Sequence, residues 1–143
     1  MIDGYALLFR AHFALIRNPL ITSYGLNTSA LFGFVNQVFK IINDENPDYF
    51  ACVFDSKGKT FRHKMYKDYK ANRPPMPEEL QLQLPHLWEI LESMRIPVLK
   101  KVGFEADDII GTLAMNAQKM GLDAYIVSGD KDFMQLINDN IYL

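Results

Sequence analysis

Residues 49–54 (Tyr-Phe-Ala-Cys-Val-Phe) form a continuous apolar run closed by Asp55. A strand that is apolar at every position has no face to offer to water, so it belongs in a sheet covered on both sides. The rest of the chain supplies the covers. Met1-Ile2, Ile96–Val102, Ala124–Val127 and Ile141–Leu143 read as further strands. They alternate with helical segments at Tyr5–Ala14, Thr28–Ile42, Glu105–Met120 and Lys131–Ile137. In the second of these, Leu31, Phe34, Val35, Val38, Phe39 and Ile42 recur at three and four spacing. Asn46-Pro47 stops that helix, and Gly121 closes the one before the fourth strand. Alternating strands and helices predict an α/β fold, a three-layer α/β/α arrangement around a mostly parallel sheet. A length of 143 residues suits a single domain. Met1-Ile2 reads as the tail of a strand without its beginning, and the chain stops inside its last strand, so both ends look cut.

Composition narrows the class. The chain is 49% hydrophobic and 22% charged, with no apolar run long enough to span a bilayer. Asp3 follows Met1-Ile2 directly, which is not a signal-peptide pattern. These features predict a cytoplasmic protein with no membrane partner. Cys52 is the single cysteine and lies inside the apolar run, so it reads as a buried structural thiol. The seven methionines and Trp88 read as packing residues.

Acid follows each predicted strand: Asp3, Asp55, Glu105 and Asp130, with Asp107, Asp108 and Asp132 extending two of the clusters. The cleft of an open α/β sheet lies beyond the carboxyl ends of its strands, so seven of the seventeen acidic residues are expected along one edge. Carboxylates crowded there repel one another, and desolvation adds to the cost. Hard cations with oxygen ligands, Mg²⁺ or Mn²⁺, offset it. A pair of such ions about 4 Å apart can activate water and stabilise a leaving oxygen in phosphodiester hydrolysis. A single Asp after a strand is ordinarily a cap or turn residue, and acids in a first helical turn can simply match the dipole. Four strand ends, two of them with extra acids, ask for more than capping. His12, His63 and His86 fall at no ligand spacing, and no Gly-rich phosphate loop is present.

Between Lys57 and Arg73 stand seven basic residues and one acid, Asp68, in a chain whose net charge is −2. Residues 61–73 interleave cations (Arg62, Lys64, Lys67, Lys70, Arg73) with aromatics (Phe61, Tyr66, Tyr69). Such a segment can neutralise phosphates and stack on unpaired bases, or it can be a solvated helix face. Beside a carboxylate cluster, a cationic guide for an anionic substrate is the stronger reading. Lys70 and Arg73, at i and i+3, are expected on one helical face and are the candidates for contact with a scissile phosphate. Pro74-Pro75-Met76-Pro77 then breaks the chain and starts a helix running to about Met94, with Glu78 and Glu79 in its first turn.

Assembled, these residues resemble the 5′ nuclease domain of bacterial DNA polymerase I and the related flap endonucleases. Ile2-Asp3-Gly4-Tyr5 and Ala51-Cys52-Val53-Phe54-Asp55 resemble the first two metal-binding strand ends. Phe61-Arg62-His63 with Tyr69-Lys70-Ala71-Asn72-Arg73-Pro74 is similar to the family's helical arch, expected over about residues 57–94. Gly103-Phe104-Glu105-Ala106-Asp107-Asp108 and Ser128-Gly129-Asp130-Lys131-Asp132 resemble the two other acidic motifs. The resemblance implies a PIN-like nuclease with two Mg²⁺ or Mn²⁺ ions, cutting DNA near the junction of a 5′ single strand and a duplex. Asp3, Asp55, Glu105, Asp107 and Asp108 would surround the first ion, and Asp130 and Asp132 would lie near or between the two. Lys70 and Arg73 would hold the phosphate. Arg62 and Tyr69 would guide the strand, with Lys64, Tyr66 and Lys67 on the DNA-binding face. The family continues into a helix–three-turn–helix element and further aspartates, so the expectation is an incomplete second ion site and weak activity alone. In a longer polymerase the partner in cis would be the polymerase domain, and the setting the bacterial nucleoid. A DNA-binding fragment without catalysis and a compact PIN-type ribonuclease are the alternatives.

Overall fold

The computed structural model describes every residue from Met1 to Leu143. In chain order the elements are β1 (Ile2–Asp3), α1 (Gly4–Ala14), α2 (Ser29–Glu45), β2 (Cys52–Val53), α3 (Phe61–Met65), α4 (Glu78–Gln81), α5 (Leu84–Ser93), β3 (Val98–Leu99), α6 (Ala106–Lys119), β4 (Ala124–Tyr125), a 3-10 helix (Lys131–Leu136) and β5 (Ile141–Tyr142). They group into two compact units. One comprises Met1–Tyr5, Ala51–Pro74 and Val98–Leu143; the other comprises Ala6–Phe50 and Pro75–Pro97.

The first unit carries the sheet, and every strand pair in it is parallel. Ile2 and Asp3 pair with Cys52 and Val53, which pair in turn with Val98 and Leu99. On its other side β1 meets the extension of β4 at an Ile2–Val127 bridge, where the Asp3 N–H donates to the Val127 carbonyl at 3.0 Å. β4 pairs with β5. The strand order is therefore β3-β2-β1-β4-β5, reversing direction between β1 and β4. That reversal is the position at which open α/β sheets place their ligands.

The strands are shorter than the apolar runs that announce them, because the hydrogen-bonded ladder covers only part of each run. Tyr49, at the start of the longest run, is exposed, while Cys52, Val53 and Phe54 are fully buried. Burial pushes the Cys52 thiol up to about 12, which suits a structural thiol. Helix α6 turns Ala106, Ile110 and Ala114, one helical face, into a core with Val53, Ala124, Ile126, Phe133 and Ile141. The completely buried Ile110 contributes about 1.5–3 kcal/mol to that packing.

The second unit is helical. Leu31, Phe34 and Val38 turn inward from α2, whereas Phe39, which shares the apolar pattern, stays half exposed. Ala11 of α1 approaches Gly33 so closely that a Cβ at position 33 would lie 2.7 Å from the alanine methyl. Thr28 provides no side-chain cap for α2. The fully buried Gln83 does so instead: its Oε1 accepts from the Ala30 and Leu31 N–H groups at 3.1 and 3.2 Å. Its Nε2 donates to the Glu79 carbonyl at 2.9 Å, so this buried amide is satisfied at both ends. Asn46 ends α2 ahead of Pro47, where the Asn-Pro pair predicts the helix to stop, and does so in the left-handed conformation.

Three expectations need correction. The prolines at 74, 75 and 77 break the chain as their missing N–H groups require, but the single helix expected from Glu78 to about Met94 is divided into α4 and α5. Lys70 and Arg73 do not share a helical face. Lys70 has φ +57 and its carbonyl accepts from the Arg73 N–H at 3.0 Å, so the two belong to a turn. The methionines are not uniformly packing residues: Met65, Met115, Met120 and Met134 are exposed.

Candidate active site

The acidic residues gather in two hydrogen-bonded strings within the first unit. The first lies across the reversal of strand order. Asp3, the last residue of β1, accepts from the Ser128 hydroxyl at 2.8 Å through Oδ2. The same hydroxyl oxygen accepts from the Asp130 N–H at 3.1 Å, and Asp130 Oδ1 accepts from the Asp132 N–H at 2.9 Å, capping the 3-10 helix. Asp130 and Asp132 are exposed. Ser128 is the residue that sequence reasoning left without a role, although its place two residues before Asp130 is the spacing of a side-chain turn.

The second string is built on the start of α6. Asp55, two residues past β2, accepts from the Ala106 N–H through Oδ1 at 2.7 Å. The N-cap of α6 is Glu105, which is 4% exposed. Asp108 Oδ2 reaches back to accept from the Glu105 N–H at 3.0 Å, and Asp107 Oδ1 accepts from the Asp108 N–H at 2.8 Å. Each of these acids satisfies an N–H that the first turn of a helix leaves without a partner.

The basic segment closes on this second string. Arg62, on α3, meets Asp108 with both fork nitrogens: Nη1 to Oδ2 and Nη2 to Oδ1, each at 2.7 Å. Nη1 also lies 3.5 Å from Glu105 and Nη2 4.0 Å from Asp107. Lys70 Nζ stands 3.0 Å from Glu105 Oε2, the oxygen that also accepts from the Tyr69 hydroxyl at 2.9 Å. Thr60, buried at the N-cap of α3, bonds His63 Nδ1 at 2.9 Å and is 3.5 Å from Glu105. Thr60 is a second residue the motifs did not single out; a Thr three residues before a polar side chain at a helix start is its only signal. Lys64, Tyr66, Lys67 and Arg73 are exposed, with none of their side chains in an ion pair to the carboxylates.

A model of the 5′-3′ exonuclease N-terminal resolvase-like domain matches residues 1–143. The chain belongs to this family. It is similar to DNA polymerase I of Caldicellulosiruptor bescii, at 45% identity over 97% of this chain and 16% of the polymerase. It is similar also to a 5′-3′ exonuclease of Aquifex aeolicus, at 43% identity over 99% of this chain and 48% of that protein. The chain thus spans less than half the length of these relatives. Among solved structures, the bacteriophage T5 5′-exonuclease with bound zinc superposes with a TM-score of 0.67 at 21% identity, covering 98% of this chain and 52% of the other. A T5 flap endonuclease in complex with DNA and metal ions gives a TM-score of 0.66 at 20% identity over 98% of this chain and 52% of that one. At such identity the likeness shows the fold, an α/β fold with a parallel sheet. No helix of the chain is long and apolar enough to cross a membrane.

The electrostatics of the site follow the bonding. Arg62 holds the Asp108 carboxyl below its ordinary range, chiefly through the paired hydrogen bonds. Burial works against the charge on Lys70, but the hydrogen bond and charge of Glu105 outweigh it and raise its pKa. Asp107 goes the other way. Burial pushes it up, and the like charges of Asp108 and Glu105 add to that, against the opposing pull of Arg62. A carboxylate raised in this way is one that a further cation would stabilise. The donor set is all carboxylate oxygen, which fits Mg²⁺ or Mn²⁺ and not a soft metal. The fit is chemical and not yet geometric: no three acidic, histidine or cysteine side chains converge as a metal-holding group.

Proposed function

We propose that this chain is the ion-binding part of a divalent-metal-dependent 5′ nuclease that hydrolyses DNA phosphodiesters near the junction of a 5′ single strand and a duplex. The observation that carries this reading is that seven acids gather past the carboxyl ends of the strands in two hydrogen-bonded strings, and that Arg62 and Lys70 of the basic segment close on one of them. The T5 relatives were solved with metal ions and, in one case, with DNA, which supports the same chemistry here.

Asp3, Asp55, Glu105, Asp107 and Asp108 are the residues that would hold a first ion, with Asp130 and Asp132 toward a second. When bound, the ions supply a water of lowered pKa and positive charge for the leaving oxygen. The side chains do the rest. Lys70 and Arg73 hold the phosphate as cations; Arg62 and Tyr69 orient the strand; Lys64, Tyr66 and Lys67 offer further backbone and stacking contacts. Helix α6 fixes Asp108, whose Oδ2 is tied to the Glu105 N–H at its first turn.

One observation favours a second reading, a DNA-binding fragment without catalysis: Arg62 and Lys70 already take up oxygens of Asp108 and Glu105. A single experiment separates the two. A labelled 5′-flap duplex is incubated with the chain and Mg²⁺ or Mn²⁺, beside the Asp107→Ala and Asp130→Ala variants. Metal-dependent cutting lost in both variants supports the nuclease. Shifted mobility of the flap without cutting, in a folded protein, supports the binding fragment.

A further inference from the structure

Arg62 and Lys70 are read above as groups for DNA, yet their nearest partners are the acids assigned to the ion. Both oxygens of Asp108 face the Arg62 fork at 2.7 Å, and Glu105 Oε2 takes Lys70 at 3.0 Å and Arg62 at 3.5 Å. The contacts are long-range in sequence, 46 residues for Arg62 with Asp108, and so are a feature of the tertiary fold. The fork occupies one lone-pair direction on each Asp108 oxygen, and the Glu105 N–H takes a second on Oδ2. An ion approaching Asp108 therefore competes with the guanidinium.

We propose that Arg62, seconded by Lys70, is a built-in counter-cation of the acidic site, so that ion binding and release of the basic segment are one coupled exchange. The proposal rests on the reading of Glu105 and Asp108 as ion ligands. Its direction follows from linkage. If the ion binds more weakly while Arg62 sits on Asp108, then the bound ion weakens that contact by the same factor. Arg62 and Lys70, once displaced, are positive groups next to the ion with no acid to face, and a phosphate is the partner that matches their charge. The segment is therefore held closed by its own acids until an ion frees it for the anionic strand. The exchange also explains why Arg62 is on a five-residue helix ahead of a turn: such an element can detach without dismantling the α6 core.

The test measures Mn²⁺ binding by calorimetry for the whole chain and for Arg62→Gln, Arg62→Lys and Lys119→Gln, with thermal melts to confirm folding. Lys119 lies exposed in the last turn of α6 and controls for the loss of one positive charge. Arg62→Gln is expected to bind Mn²⁺ on the order of tenfold more tightly than the parent, Arg62→Lys by less, and Lys119→Gln hardly differently. Hydrogen exchange supplies a readout that a purely structural role would not give: amides of residues 61–73 should exchange faster on adding Mn²⁺ to the parent, and be indifferent to it in Arg62→Gln. Arg62→Gln binding no tighter than Lys119→Gln, or no Mn²⁺ binding by any variant, overturns the proposal. Flap cleavage is scored separately. Tighter Mn²⁺ binding without cleavage fails the nuclease reading alone, and intact cleavage with unchanged binding fails the counter-cation alone.

Discussion

Asp3 and Ser128 are joined by a 2.8 Å hydrogen bond across 125 residues of sequence, at the point where the strand order reverses. Ser128 thereby fixes one carboxylate and, through the Asp130 N–H, the start of the next acidic turn. Replacing Ser128 by Ala removes both contacts and leaves the α6 core untouched. The expected result is a loss of about 1 kcal/mol in stability with Mn²⁺ affinity lower by about tenfold, as for other residues that orient metal ligands. Urea denaturation and calorimetry measure the two effects, and unchanged Mn²⁺ affinity would remove Asp3 from the ion site.

Asp55 combines two tasks that substitution can separate. Its Oδ1 satisfies the first N–H of α6 at 2.7 Å. Asp55→Ala is expected to cost about 1 kcal/mol through the lost acceptor. Asp55→Asn keeps a carbonyl acceptor, so it should retain most of the stability while weakening Mn²⁺ binding. Equal affinity in Asp55→Asn and the parent would show that only the structural task is real.

The Arg62–Asp108 pair makes stability depend on acid. The paired hydrogen bonds place the folded Asp108 below its ordinary value of 3.8. The folded state therefore holds the proton less tightly than the unfolded chain. Stabilisation is complete above that ordinary value and is lost as pH falls through the lower, folded one. Melting temperature followed down through this acid range should fall less steeply for Asp108→Asn than for the parent. Parallel curves for the two proteins would contradict the pairing.

At the root of α1 the backbone passes against an aromatic face. A Cβ at Gly4 would lie 2.3 Å from the Phe54 ring. Phe54 is fully buried, with the Tyr5 ring edge-on at 5.1 Å, so it has little room to yield. Gly4→Ala is expected to destabilise the protein by about 1–3 kcal/mol through overpacking, read as a drop in the urea midpoint. A shift within experimental error would mean that the ring moves freely.

Local pattern was enough to read the class of fold. The run 49–54 demanded a sheet covered on both faces, the spacing of Leu31, Phe34 and Val38 marked a buried helix face, and Asn46-Pro47 marked its end. Each of these signals acts within one or two turns of chain, where steric and solvation preferences are decided by neighbours in sequence. The acids at the strand ends were legible for the same reason, since a parallel sheet brings every strand's carboxyl end to one edge. What the acids touch was not legible. Ser128 on Asp3, Tyr69 and Lys70 on Glu105, and Arg62 on Asp108 all depend on strand order and on how α3 returns to α6. The pattern of residues 57–73 marks a cationic segment, but a charge has no preferred partner until folding decides which carboxylate lies within reach. The left-handed turn at Lys70 belongs to the same class: spacing alone put Lys70 and Arg73 on one helix face, whereas the tertiary structure has them in a turn, with Lys70 on Glu105.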